Sequence, residues 1–288
     1  MNWHGKLLDL AVVALMVMLF FAAGCGRGNK AIQVKGSDTM VNLAEAWTEG
    51  YMEKYQANAL AVTGGGSGAG FAALISGTTD IALASREMHQ KEILLANKRR
   101  VFPKELQVAS DGIVVVVHPS NQTERLTIKQ LSDIFTGKIT NWRALGGPDR
   151  KIVALSRERN SGTHVFFLES VVKLGQKKNP NEFAAEVLMM PSSQAIVEEV
   201  VSNPSAIGYI GLGYLNNRQK ALAIAKDENG PYLVPNLRTV KEKRYPISRS
   251  LLFYTNGTPE TRVQSFIDYV LSPAGQAVVK KMDFVPIK

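Results

Sequence analysis

The chain has 288 residues, a formal net charge of +9, four histidines and one cysteine, Cys25. That length accommodates two α/β lobes or one large domain, while a lone cysteine excludes an internal disulfide, and the histidines His4, His89, His118 and His164 have no metal-ligand spacing. The positive charge suits anion attraction or an anionic membrane surface better than nucleic acid, given the export signature at the N-terminal end.

Leu10 to Ala23 is an apolar run of signal-peptide length, short for a transmembrane helix, and Lys6 precedes it. Ala22-Ala23-Gly24-Cys25 reads as a bacterial lipobox, so the expectation is a leader over residues 1–24, lipidation at Cys25 and a tether to residue 30. From Ala31 the pattern alternates strand and helix. Strands are predicted at Ile32–Lys35, Ala59–Thr63 and Ile81–Ala84. A first helix carries Met40, Leu43, Ala44, Trp47 and Tyr51 on one face, a second carries Phe71, Ala72, Leu74 and Ile75, and a third runs from Glu87 to Arg99.

Leu106 to His118 is predicted as a long buried strand that leaves one lobe for the other, ended by Pro119-Ser120-Asn121. A helix with Ile128, Leu131, Ile134 and Phe135 opens the second lobe, followed by turns at 136–138 and 146–149. Then come a strand at Lys151–Leu155, a helix at Thr163–Val172, a helix at Ser192–Val201 and a strand at Ile207–Ile210. A polar, irregular stretch leads to Lys243, Tyr245–Tyr254 returns as a strand, and helices at Glu260–Leu271 and Pro273–Lys281 close the chain. The alternation argues for an α/β fold. Lys98-Arg99-Arg100 and Lys241–Arg244 are charge runs of the kind that usually cover solvated surface.

Three segments share a design. Ser156–Thr163 (SRERNSGT) runs from a strand end through a basic loop to a helix start, with Arg157, Ser161, Gly162 and Thr163 placed where unpaired helix N–H groups attract anions. An isolated Ser-Gly-Thr before a helix is ordinarily a cap. Gly36-Ser37-Asp38-Thr39-Met40 and Gly64–Gly70 (GGGSGAG) repeat the arrangement, each placing a hydroxyl at a helix start after the carboxyl end of a strand, where open α/β sheets bind ligands. Three such ends converging would surround a small oxyanion with neutral donors, with arginine for charge.

Other chemistries fit less well. Gly64-x-Gly66-x-x-Ala69 matches a permissive dinucleotide fingerprint but lies on the second strand–helix unit, and the loop lacks the Lys-Ser/Thr of a P-loop. Ser67 lacks a glycine two residues later and Ser161 lacks one two residues earlier, so neither is a nucleophile elbow. His164 has no marked acid partner.

With these residues in hand the chain resembles the phosphate-binding (PstS-like) lipoproteins of bacterial phosphate ABC transporters. The resemblance runs from Ile32 to the C-terminal end and rests on GSDTM (36–40), GGGSGAG (64–70), DIALASRE (80–87), LSDIFTGKITNW (131–142) and SRERNSGTHVFF (156–167). It implies a two-lobed type II periplasmic-binding-protein fold, with the ligand cleft between lobes joined by crossing strands. Lobe 1 is expected over residues 31–116 and 246–288, and lobe 2 over 117–245. It further implies an extracytoplasmic, lipid-anchored monomer with no catalytic activity, cofactor or metal, which delivers inorganic phosphate to the permease subunits. Carried over by position, the anion contacts are Thr39, Ser67 with Gly68, Arg157, Ser161, Gly162 and Thr163, flanked by Ser37 and Asp38.

Two positions depart from the family pattern. Many members place an aspartate after the Ala-Ser pair; here Ala84-Ser85 is followed by Arg86, so Ser85 and Arg86 are expected to meet the anion and Asp38 to supply the acceptor for protonated phosphate. Arg159 stands where an acidic residue commonly steadies the phosphate-binding arginine, which leaves Glu158 for that role. Sulfate, molybdate or arsenate is the alternative ligand, and an extracytoplasmic sensor the alternative role.

Overall fold

The structure, a computed structural model, describes residues 31–55 and 59–287. The expected leader and Cys25 lie outside the described residues. Ile32–Lys288 forms one unit.

The chain opens with β1 (Ile32–Gly36), a 3₁₀ turn (Asp38–Met40) and α1 (Val41–Tyr55), then β2 (Leu60–Thr63), α2 (Ser67–Ser76), β3 (Ile81–Ala84) and α3 (Gln90–Lys98). β1 pairs in parallel with β2 and with β3, as strands joined by helical crossovers must. All four residues of β3 are buried, and alternation sends Ile81 and Leu83 to one apolar cluster and Ala82 and Ala84 to another. On the first face lie Met40, Leu43, Ala44, Trp47 and Tyr51 of the first helical segment, as the sequence spacing predicts.

β4 (Pro103–Val117) has 15 residues, about 50 Å of extended chain. Its N-terminal part pairs antiparallel with β11 (Ser248–Asn256), and its C-terminal part, from Ile113, pairs antiparallel with β8 (Ala206–Gly211). The β-branched run again splits by alternation: Ile113, Val115 and Val117 enter one cluster, Val114 and Val116 the other. The half that contains β8 also holds β5 (Arg125–Thr127), α4 (Ile128–Phe135), β6 (Val153–Arg157), α5 (Gly162–Phe167), β7 (Leu188–Met190) and α6 (Ser193–Ser202), with β6 and α6 against β8. The sheet runs β2-β1-β3-β11-β4-β8-β6-β7. Two clusters draw on residues up to Ala109 and from Leu251 to Phe284, and two on Ile113 to Ile247 with Val285. β4 and β11 therefore cross between two three-layered halves. α8 (Thr261–Leu271) and α9 (Pro273–Lys281) pack on the first, where Trp47 Nε1 donates to the Gly275 carbonyl at 2.8 Å.

Four expectations shift. The helix expected over 163–172 is α-helical only to Phe167 and continues as a π turn over Leu168–Val172, which brings Phe167, Val171 and Val172 together into the core. The polar stretch before Lys243 holds β9 (Lys220–Ala221), β10 (Ala223–Ala225) and α7 (Leu237–Lys241), elements too short to show a period. Tyr245 precedes β11 instead of opening it; its hydroxyl donates to the Ile113 carbonyl at 2.8 Å. α3 starts at Gln90, where the Glu92 carboxylate accepts from the His89 N–H at 2.8 Å and closes the first turn.

Candidate functional site

The three loop–helix segments meet. Ser161 caps α5, its Oγ accepting from the N–H groups of Thr163 (3.2 Å) and His164 (3.4 Å), which leaves its hydroxyl hydrogen free to donate. Ser67 opens α2, and its Oγ accepts from the Ser85 N–H at 3.0 Å. Ser37 donates from its hydroxyl to Ser85 Oγ at 2.8 Å, and Ser67 and Ser85 hydroxyls lie 3.4 Å apart. Thr39 and Thr163 hydroxyls hydrogen-bond at 2.7 Å between the two halves. All six hydroxyl residues are buried.

Gly162 has no side chain for a spatial reason. A Cβ there would stand 2.3 Å from Ser67 Oγ and 2.6 Å from Ser85 Oγ, so only glycine lets the α5 backbone lie against the serines. Gly66 (φ +90) is equally confined, since a Cβ would meet the Asn160 carbonyl oxygen at 2.7 Å.

Arg157 is 2 % exposed and tightly held. Its Nη1 donates to Asp38 Oδ2 (2.9 Å) and Ser193 Oγ (3.1 Å), its Nη2 to the Pro191 carbonyl (2.9 Å) and its Nε to the Met190 carbonyl (3.3 Å). The carboxylate that steadies it is therefore Asp38, not Glu158, which is exposed. Asp38 Oδ2 also accepts from the Ser193 N–H at 2.9 Å, and the Asp38 carbonyl accepts from the Tyr214 hydroxyl at 2.8 Å.

Two other expected residues are placed differently. Arg86 forks onto Glu92 through Nη1–Oε2 and Nη2–Oε1, both 2.8 Å, and lies over the Phe71 ring; its buried Nε has no partner among the described residues. That fork depresses the Glu92 carboxyl even against its burial. The Gly68 N–H donates to the Asn160 carbonyl at 3.0 Å, so it joins the two halves and is not a free donor.

One pair was not singled out from sequence. Arg249 on β11 and Asp111 on β4 are register partners on the crossing strands, 2 % and 0 % exposed as side chains. Arg249 donates from Nε (3.1 Å) and Nη2 (2.8 Å) to Asp111 Oδ2, and from Nη1 to the Ser85 carbonyl (3.1 Å). Nη2 also reaches Thr39 Oγ1 at 3.3 Å. Asp111 Oδ1 accepts from the Leu212 N–H at 2.9 Å. Burial pushes the Asp111 carboxyl up and the Arg249 guanidinium down, and each charge opposes the shift of the other. The signal was present: Asp111 adjoins the apolar run 113–117 and Arg249 the apolar run 251–254, and a charge buried beside such runs must find a partner.

Beneath α5, His164 Nδ1 is 3.0 Å from Ser156 Oγ, which is 2.5 Å from the Tyr209 hydroxyl. His164 is buried, beside the Phe183 ring. Burial drives its pKa down.

Two α/β halves joined by antiparallel crossing strands, with buried hydroxyls of three helix starts gathered at their junction, define a two-lobed solute-binding protein of the type II periplasmic class. The PBP superfamily domain matches residues 22–274. Phosphate-binding protein PstS of Staphylococcus aureus (strain USA300) is 31 % identical over 264 residues, 88 % of this chain and 78 % of that protein. PstS of Borreliella burgdorferi is 28 % identical over 286 residues, 98 % of this chain and 99 % of that protein. The chain belongs to the PBP superfamily and, within it, to the PstS family of phosphate-binding proteins. Among solved structures it is similar to a Clostridium perfringens substrate-binding protein assigned to a phosphate ABC transporter and solved with bound phosphate. That match has a TM-score of 0.79 and 32 % identity, covering 90 % of this chain and 100 % of the other. An ABC-type phosphate transport receptor from Vibrio cholerae matches with a TM-score of 0.69 and 28 % identity, covering 88 % of this chain and 99 % of the other.

Proposed function

We propose that this chain binds inorganic phosphate outside the cytoplasm, in the cleft between its two halves, and delivers it to the permease subunits of an ABC transporter for import. The observation that carries the reading is the set of buried hydroxyls from three helix starts, with Thr39 and Thr163 in direct contact across the junction. A dehydrated oxyanion is held only if every oxygen is hydrogen-bonded. Ser37, Thr39, Ser67, Ser85, Ser161 and Thr163 supply hydroxyl donors, with backbone N–H groups at Gly162 and beyond. Arg157 carries charge, and Arg86 contributes its Nε–H. The anion enters by parting Thr39 from Thr163, and closure of the halves around it makes the surface that the permease reads.

Asp38 favours phosphate over sulfate. Its Oδ2 is engaged by Arg157 and Ser193, and its Oδ1 has no hydrogen-bond partner among the described residues. That oxygen is an acceptor for the proton of hydrogen phosphate, which sulfate lacks. The proposed lobes are residues 31–116 with 246–288, and 117–245; the hydrophobic clusters support such a division but change over at Ile113 and after Ile247, with Val285 also in the second. A leader over residues 1–24, a lipid anchor at Cys25, a monomeric state and the absence of catalysis complete the proposal. No helix among the described residues is long and apolar enough to cross a membrane.

Titration calorimetry of the chain from Gly26, stripped of anion, tests the reading. Phosphate binding that excess sulfate does not displace is the expected result. Equal binding of both makes the protein a general oxyanion receptor, and no heat with either overturns the anion site.

A further inference from the structure

We propose that Arg249, held by Asp111, is a second cationic contact of the anion site, delivered by the crossing strand instead of by a loop. The inference rests on the phosphate-binding reading above and adds to it a residue pair that no helix-start motif contains.

Arg249 reaches the centre of the site. Its Nη2 donates to Thr39 Oγ1, the same oxygen that meets Thr163 Oγ1 at 2.7 Å, and its Nη1 donates to the carbonyl of Ser85, whose hydroxyl belongs to the serine web. An anion oxygen that takes the place of Thr163 beside Thr39 Oγ1 stands next to this guanidinium. The Nη2–Thr39 contact, at 3.3 Å, is the longest of the Arg249 hydrogen bonds. Exchanging it for a bond to a phosphate oxygen is favourable, because the guanidinium then faces an opposite charge in place of a neutral hydroxyl.

Arg249 is held as fully as Arg157, with its Nε–H, both Nη2 hydrogens and one from Nη1 on Asp111, Thr39 and Ser85. What sets it apart is that one of those acceptors is Thr39 Oγ1, the oxygen that the anion would part from Thr163. Arg157 has both of its Nη1 hydrogens, one from Nη2 and its Nε–H in place on protein acceptors. Arg86 has its two terminal nitrogens on Glu92. Arg249 also borders a cleft of about 660 Å³ whose walls, from both halves, include Arg86, Glu87, Phe166, Glu169 and Lys177, so that it is reached from solvent through a wall of mixed charge.

Asp111 is a positioning residue. A single oxygen, Oδ2, takes both Nε and Nη2, while Oδ1 is tied to the Leu212 N–H. This fixes the guanidinium on the strand pair while the rest of its fork points to Thr39 and Ser85. Because β4 and β11 are the segments the halves share, a contact there gives the anion a fixed reference as the halves close on it.

The test compares wild type, R249K, D111N and the double variant R249Q/D111N by phosphate calorimetry, with thermal melting of each in the absence of phosphate. The double variant replaces a buried ion pair by a neutral hydrogen-bonded pair, so it keeps a folded core. The expected result is a melting temperature close to wild type with phosphate affinity at least 100-fold weaker. R249K should retain more affinity than the double variant, because it keeps the charge and loses the fork. A wild type that binds phosphate and a folded double variant within threefold of it overturn this inference alone. A wild type that takes no phosphate overturns the functional reading and this inference together.

Discussion

The side-chain hydroxyls of Thr39 and Thr163, 124 residues apart in the chain, hydrogen-bond at 2.7 Å where two helical segments from opposite halves begin. Neither position is a cap for its own helix, since Ser161 caps α5 and the Thr39 hydroxyl points across the junction. On the proposed reading, these two buried hydroxyls, which face each other across the junction of the halves, are the donor pair that phosphate parts.

Thr39→Val keeps the methyl that packs near Gly211 and removes only the hydroxyl. Phosphate affinity should fall by about 1–3 kcal/mol, the cost of an unmet hydrogen bond in a dry site. Thr163→Val should behave alike. Calorimetry on both variants checks this, and an unchanged Kd for either would remove that hydroxyl from the site.

Gly162→Ala places a methyl on Ser67 and Ser85 hydroxyls. The serine web must move, with a stability loss of about 1–3 kcal/mol and a still larger loss in phosphate binding. Denaturant unfolding with parallel calorimetry separates the two effects; full binding by the variant would show that the loop is slack.

Asp38→Ala leaves the Arg157 guanidinium buried without its carboxylate, which should cost about 3 kcal/mol of stability. Glu158→Ala, at an exposed position, should stay within about 0.5 kcal/mol of wild type. The reverse ranking in urea melts would reassign the partner of Arg157. Asp38→Asn should also narrow the preference for phosphate over sulfate, because an amide nitrogen cannot accept the phosphate proton.

Burial lowers the pKa of His164 below its ordinary 6.5. The unfolded chain therefore takes up the proton before the folded one does. The His164 contribution is fully present above about pH 6.5 and is lost as the pH falls below it towards the depressed folded value. Melting temperature measured from pH 7.5 to 5 should decline, and His164→Gln should flatten that decline. An unchanged slope in the variant would place the acid sensitivity elsewhere.

Much of the first half of the fold is legible in local spacing. Met40, Leu43, Ala44, Trp47 and Tyr51 form the buried face that their spacing announces, and the valines from 114 to 117 form a buried strand because a β-branched run has no polar face to expose. β5, β9 and β10 were not legible, since two or three residues carry no alternation and their pairing is set by their neighbours.

The sequence by itself determined the local chemistry of the candidate site: hydroxyls and glycines at three helix starts, because caps and left-handed backbone are decided by residues a few positions apart, whereas the crowding at Gly162 by Ser67 and Ser85 is tertiary. Tertiary structure alone decided the charge partners. Arg157 meets Asp38 across 119 residues and Arg249 meets Asp111 across 138. Such pairs depend on strand order and register, which bring together segments whose separation in sequence is far beyond any local period. Even Arg86, six residues from Glu92, was settled by packing over Phe71 and by the first turn of α3, where the carboxylate already faces the guanidinium.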